Sequence, residues 1–128
     1  MRSLAVSRWY GSAPIPASDQ PPYINGVARL AGEIDPFELL AALQKIERDA
    51  GRQRGVVNAA RTLDLDIIDF GGQVVQSSNL VLPHPRAHER AFVLRPLLDV
   101  YPGWIHPVLQ RSVSELLSQL PAQGIWVL

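Results

Sequence analysis

The spacing of apolar positions predicts a chain of alternating strands and helices. Residues 4–10 (LAVSRWY) read as a short strand. Residues 11–22 (GSAPIPASDQPP) carry four of the eleven prolines and read as a stiff loop. Residues 23–34 alternate as a strand, with Ile24, Val27 and Leu30 as its apolar residues. A helix begins at Asp35, where Asp35 is a good N-cap, Pro36 suits the first turn and Glu38 completes a capping box. Leu39, Leu40, Leu43 and Ile46 continue it at helical spacing, and Gly51 is expected to stop it. Residues 52–61 read as a basic loop and residues 62–70 (TLDLDIIDF) as a strand. Gly71-Gly72 signals a hairpin turn, with Gln73 to Gln76 as the return strand. A rigid loop at 83–86 leads to a short helical stretch near 87–99. Val108 to Leu120 read as an amphipathic helix ended by Pro121, and Gly124 to Leu128 as a closing strand. The order is that of an α+β fold and matches the later part of a ferredoxin-like β-α-β-β-α-β unit, with an appended helical C-terminal part. Trp104-Ile105-His106-Pro107 is read as packing for that part, with Trp126 in the core.

Composition narrows this picture. The 128 residues suit one domain with one core, 47% hydrophobic and 19% charged, which is an ordinary globular balance. Twelve basic residues offset twelve acidic ones, which argues against a general nucleic-acid binder. Lys45 is the only lysine, so the basic set is almost entirely arginine. That reflects either a compositional bias or a need for bidentate grip on phosphate or planar groups. With no cysteine, disulfides and thiolate metal sites are excluded. No apolar run approaches the about 18 residues that span a bilayer, and no signal peptide is visible. A soluble cytoplasmic protein with no membrane partner is the expectation.

Four clusters carry candidate chemistry. Asp64 and Asp66, two apart in a strand, point to one face amid Leu63, Leu65 and Ile67. Burying two carboxylates uncompensated is costly, and hard oxygen ligands suit Mg²⁺ with substrate phosphates. The plainer alternative is a solvent-facing edge, and Asp69 falls on the opposite face. Arg52, Arg54 and Arg61 lie near the start of this strand, where guanidinium groups could neutralise phosphate or simply be solvated. Pro83-His84-Pro85-Arg86 presents His84 rigidly, with His88 and Arg90 following; no zinc pattern appears. Asp19-Gln20-Pro21-Pro22-Tyr23-Ile24-Asn25 offers a ring and an amide to a flat heterocycle, or is only a turn entering a strand. There is no Walker loop and no dinucleotide fingerprint.

Taken together, these segments resemble the 6-hydroxymethyl-7,8-dihydropterin pyrophosphokinase family. The strongest stretch is Arg61-Thr62-Leu63-Asp64-Leu65-Asp66-Ile67. It is joined in order by Asp19-Gln20-Pro21, Tyr23-Ile24-Asn25, Gln44-Lys45-Ile46-Glu47, Gly51-Arg52-Gln53-Arg54, and Pro83-His84-Pro85-Arg86 with Arg90 and Phe92. The likeness runs from about Ser7 to Pro107. It implies transfer of pyrophosphate from ATP to the pterin hydroxymethyl group, with AMP released, in folate biosynthesis. It implies that Asp64 and Asp66 hold two Mg²⁺ ions, and that Arg52, Arg54 and Arg61 act with them on the phosphates. Gln44, Glu47, Ile67, His84 and Arg90 would serve ATP. Ser12, Ile15, Tyr23, Asn25 and Phe92 would hold the pterin. A monomer or homodimer is expected.

Four departures from the family pattern stand out. Asn58-Ala59-Ala60 stands where the family carries Trp-Gly-Pro, in a slightly shorter loop. Pro85 follows His84, and Ser12 replaces a threonine. The family's upstream strand and helix are not seen, so residues 1–128 read as one N-terminally incomplete domain, with the expectation that Met1 is an internal start or that upstream residues were omitted. A catalytically inactive pterin- and ATP-binding module derived from the same fold is the alternative expectation.

Overall fold

The computed structural model describes residues 1–13, 23–52 and 63–128. It is a mixed α and β chain whose strand pairs are all antiparallel, with three α-helices among the described residues. Two compact units are present: residues 1–32 with 85–128, and residues 33–84.

In the first unit, β1 (Arg2–Val6) and β2 (Tyr10–Ser12) run antiparallel to β4 (Ala28–Ala31) and β3 (Tyr23–Asn25). The two strands expected at 4–10 and 23–34 therefore do face each other, but each is split in two. Ser7 causes the split. Its N–H donates to Val27 O at 2.9 Å, while its Oγ accepts from Val27 N at 2.9 Å and donates to Arg8 O at 2.7 Å. The hydroxyl thus takes places that a regular ladder would give to backbone groups. Gly26 lies opposite, where a Cβ would come within 3.1 Å of the Trp9 ring. Beyond this break, β2 pairs on its other side with β7 (Ile125–Val127), giving the order β3-β2-β7.

Helix α2 (Ala91–Val100) packs on β1, β2, β3 and β4 and on α3 (Val113–Ser118). A 3₁₀ turn at Ala87–Glu89 precedes it. Leu94, Leu97, Val100, Trp104, Val113 and Leu116 form the core of this unit. Trp104 is buried as expected, whereas Trp126 is 41% exposed and lies across the sheet face at Gly11 instead of entering the core. The helix expected over 108–120 is only Val113–Ser118. Its start is set by Ser112 and Glu115, which cap each other's backbone N–H groups. Upstream, buried His106 holds a turn by accepting from Val108 N (3.2 Å) and Leu109 N (3.0 Å) at Nδ1.

In the second unit, α1 (Pro36–Arg52) starts where the sequence predicts. Asp35 Oδ1 accepts from Phe37 N at 2.8 Å and Glu38 N at 2.9 Å. These bonds, above all the one from Glu38 N, hold the Asp35 carboxyl below its usual range. The helix runs through Gly51 instead of stopping there. Ile46, expected on the apolar stripe, is 50% exposed, while Leu39, Leu40, Leu43, Glu47 and Ala50 make the half-buried face.

The strand expected at 62–70 is not one: Leu63 to Asp69 join no ladder among the described residues. Their backbone bonds go elsewhere, Leu65 N–H to a Glu47 carboxylate oxygen and Ile68 O to His84 N–H. Gly71 and Gly72 do make the turn, both at positive φ, with Gln73 N donating to Phe70 O at 3.0 Å. The following strand, β5 (Val75–Gln76), pairs forward with β6 (Val81–Leu82) rather than backward. A Ser77–Leu80 turn closes that hairpin. Ser77 N donates to Leu80 O at 3.0 Å, and the Ser77 hydroxyl bonds both Leu80 N and Leu80 O.

Candidate active site

Without a ladder, the segment 63–67 still keeps its two-residue alternation. Leu63, Leu65 and Ile67 are half-buried while Asp64 and Asp66 are exposed. The two carboxylates are therefore presented to solvent from an apolar footing. Glu47 fixes that footing, since its Oε2 accepts from Leu65 N, the amide between the two aspartates, at 2.8 Å. A second anchor follows, with His84 N donating to Ile68 O at 2.8 Å. A helix and a loop thus pin the segment, by one hydrogen bond between the two aspartates and one two residues beyond Asp66. Such a pair of carboxylates suits a hard cation that takes its other oxygens from water and phosphate. Among the described residues, no cluster of three or more His, Asp or Glu side chains stands ready to hold a metal alone.

The other residues of this unit expected to serve ATP lie on α1, in the segment 63–67 and in the loop at 83–86. Gln44 is exposed on α1, and Ile67 and His84 are half-buried. Glu47, expected to line the ATP site, is half-buried on α1 and accepts from Leu65 N through Oε2. Arg52 ends α1, while Arg54 and Arg61 lie outside the described residues.

In the first unit, Ser12 ends β2 and is buried, facing Tyr23 on one side and Ile125 on the other. Tyr23 is 54% exposed and Asn25 half-buried, both on β3. Phe92 sits in the first turn of α2, half-buried, with the Arg90 guanidinium 5.4 Å from its ring centroid. Ser12, Tyr23, Asn25, Phe92 and Arg90 are thus carried by a three-stranded sheet and the helix packed on it. Ile15 lies outside the described residues.

A feature that sequence reading missed ties this sheet to the helix. Arg8 donates to Asp99 three times, its backbone N–H and Nε to Oδ2, each at 3.1 Å, and Nη2 to Oδ1 at 2.9 Å, and the Tyr10 hydroxyl donates to Asp99 Oδ2 at 2.9 Å. The Arg8 hydrogen bond holds the Asp99 carboxyl down at about 2. Burial, and then the bond to Asp99, push the Tyr10 phenol up. The partners are 91 and 89 residues apart, so no local pattern could announce the cluster. Arg29, on β4, adds a second tie, its guanidinium 3.8 Å from the centroid of Tyr101 at the end of α2.

Comparison with known proteins gives a consistent answer. A family model described as 7,8-dihydro-6-hydroxymethylpterin-pyrophosphokinase matches residues 1–102. The 2-amino-4-hydroxy-6-hydroxymethyldihydropteridine pyrophosphokinase of Pseudomonas aeruginosa is 45% identical over 124 residues, covering 97% of this chain and 76% of its own length. The Haemophilus influenzae protein of the same name is 39% identical over 116 residues, covering 91% of the chain and 72% of its own length. Folic acid synthesis protein fol1 of Schizosaccharomyces pombe is 40% identical over 125 residues. The match covers 98% of this chain, but the chain spans only 17% of that longer protein.

Proposed function

The chain belongs to the 7,8-dihydro-6-hydroxymethylpterin-pyrophosphokinase family, and from that membership we propose that it transfers the β,γ-diphosphoryl group of ATP to the hydroxymethyl oxygen of 6-hydroxymethyl-7,8-dihydropterin in folate biosynthesis. The hydroxymethyl oxygen attacks the β-phosphorus and gives up its proton. The bond between the β-phosphorus and the α–β bridging oxygen breaks, and AMP leaves with that oxygen. What supports the reading most is the presentation of Asp64 and Asp66, exposed on a half-buried apolar segment that Glu47 holds by the amide between them.

Asp64 and Asp66 would hold two Mg²⁺ ions with ATP, and the bound metal would offset phosphate charge and orient the reacting groups. Arg52, Arg54 and Arg61 would take the remaining phosphate charge through bidentate hydrogen bonds. Gln44, Glu47, Ile67, His84 and Arg90 would bind the nucleotide, and Glu47 also holds the backbone of Leu65. Tyr23 and Phe92 would stack on the pterin, Asn25 would pair with its polar edge, and Ser12 and Ile15 would border it. Catalysis would rest on positioning and charge neutralisation, with no covalent intermediate on the protein. The ferredoxin-like arrangement expected of the family belongs to the same proposal. So does a monomeric or homodimeric state, which sedimentation equilibrium reads directly.

Product analysis tests the reaction. Incubation with ATP, Mg²⁺ and the hydroxymethyl pterin should give AMP and the pterin diphosphate in equal amounts by phosphorus NMR. ADP with a pterin monophosphate would mean attack at the γ-phosphorus and would overturn the assignment.

A further inference from the structure

Helix α2 has an unsuitable residue at its N-cap. Arg90 holds that position with extended backbone, and its side chain makes no capping hydrogen bond. Short side chains with an acceptor oxygen are preferred there, because the first N–H groups of a helix lack partners. A cation also sits against the positive end of the helix dipole. An arginine kept at such a place bears a local stability cost.

The missing acceptor comes from Gln123, far along the chain. Its Oε1 accepts from Ala91 N at 2.9 Å, and its Nε2 donates to Glu89 O at 3.1 Å. The two partners flank Arg90, so one amide grips the backbone immediately before and after it. Arg90's own backbone is fixed as well: its N–H donates to Ala87 O at 3.3 Å, and its carbonyl accepts from Val93 N and Leu94 N, each at 3.0 Å. Gln123 is itself anchored. The next residue, Gly124, accepts from Ala13 N at 3.1 Å, and Ile125 then pairs with Ser12. The grip therefore links the strand end at Ser12 to the start of α2, where the Arg90 guanidinium lies by the Phe92 ring.

We propose that Gln123 is a positioning residue for Arg90, setting the guanidinium where ATP phosphate meets it by clamping Glu89 and Ala91. The role rests on the proposed ATP site but concerns a residue that the family likeness does not assign. A neutral amide suits the task, since it donates and accepts at once without adding charge beside Arg90. Alanine removes both bonds. Glutamate keeps the acceptor for Ala91 N, loses the donor for Glu89 O and places a carboxylate near the guanidinium.

A double-mutant cycle on MgATP affinity, read by titration calorimetry, tests the assignment. Gln123→Ala should weaken MgATP binding about tenfold, as expected for the loss of hydrogen bonds that orient a charged contact. In an Arg90→Ala background the same change should cost no further affinity. Circular dichroism confirms the fold of each variant. If Gln123→Ala is unfolded, Gln123→Glu takes its place in the cycle with the same expectation. Wild-type affinity in the single variant, or losses that multiply in the double variant, would overturn the role. Release of AMP by the wild-type protein is measured alongside. MgATP binding that follows the cycle without AMP release would contradict the proposed reaction yet leave Gln123's role standing. Failure of the wild type to bind MgATP at all would sink both.

Discussion

At the scale of single residues, hydrogen bonds to the backbone decide how the candidate chemistry is presented. Glu47 is the clearest case, because its carboxylate meets the amide between Asp64 and Asp66. Glu47→Ala should lower kcat/KM for MgATP about tenfold or more, the scale of one hydrogen bond to a charged group. Glu47→Gln, which keeps a carbonyl acceptor, should retain most activity. Equal losses in both variants would mean that the charge acts directly on ligand. Asp99 gives a second case through pH. Its folded-state pKa of about 2 lies below the ordinary aspartate value. The stability it lends is therefore full above about pH 4 and lost as pH falls from there through about 2. Urea midpoints should place the wild type above Asp99→Asn at neutral pH, with the gap closing over that acid window. A gap unchanged at about pH 2 would contradict the Arg8 pairing as its source.

At the scale of elements, three of the positions where sequence patterns failed share one physical feature: a side chain has taken a backbone partner. Ser7 breaks the first strand pair, Glu47 takes the Leu65 amide, and the Ser77 hydroxyl steers β5 forward onto β6. The start of α1 was legible because Asp35 sets its own cap locally; the start of α3 was missed, although Ser112 with Glu115 sets it in the same local way. The Asp64–Asp66 alternation was legible too, since it depends on spacing of two and not on a ladder. Trp126 was misplaced because its site is set by a cross-strand partner, Gly11, which sequence proximity does not reveal. A Cβ on Gly11 would come within 2.6 Å of the Trp126 ring. Gly11→Ala should therefore force the indole outward and destabilise the protein by about 1–3 kcal/mol, the usual cost of overpacking. Tryptophan fluorescence would shift to the red on the same change. Unaltered emission and melting temperature would mean that the indole moves aside freely.

At the scale of the whole molecule, the candidate residues are spread along the sequence. Ser12, Tyr23, Asn25 and Phe92 belong to the unit formed by residues 1–32 and 85–128, and Asp64 and Asp66 to the unit formed by residues 33–84. Individual residue types, such as the paired aspartates, were readable one by one, and the joint order of the segments carried the family likeness. The ties that hold the first unit's residues in register, Arg8 with Asp99 and Gln123 with Glu89 and Ala91, were not readable. They join positions whose separation along the chain leaves no periodic trace. Among the described residues, no helix is long and apolar enough to cross a membrane.

The central claim is diphosphoryl transfer organised by Asp64 and Asp66, and AMP release measured with and without Mg²⁺ tests it most directly. Wild-type protein with ATP and the hydroxymethyl pterin should release AMP only when Mg²⁺ is present. Asp64→Ala and Asp66→Ala should each lose at least about a hundredfold of that rate, the scale of a lost transition-state electrostatic contact. Both side chains are exposed, so melting temperatures should change little. AMP release by either variant at the wild-type rate, or by the wild type without a divalent ion, would contradict the account.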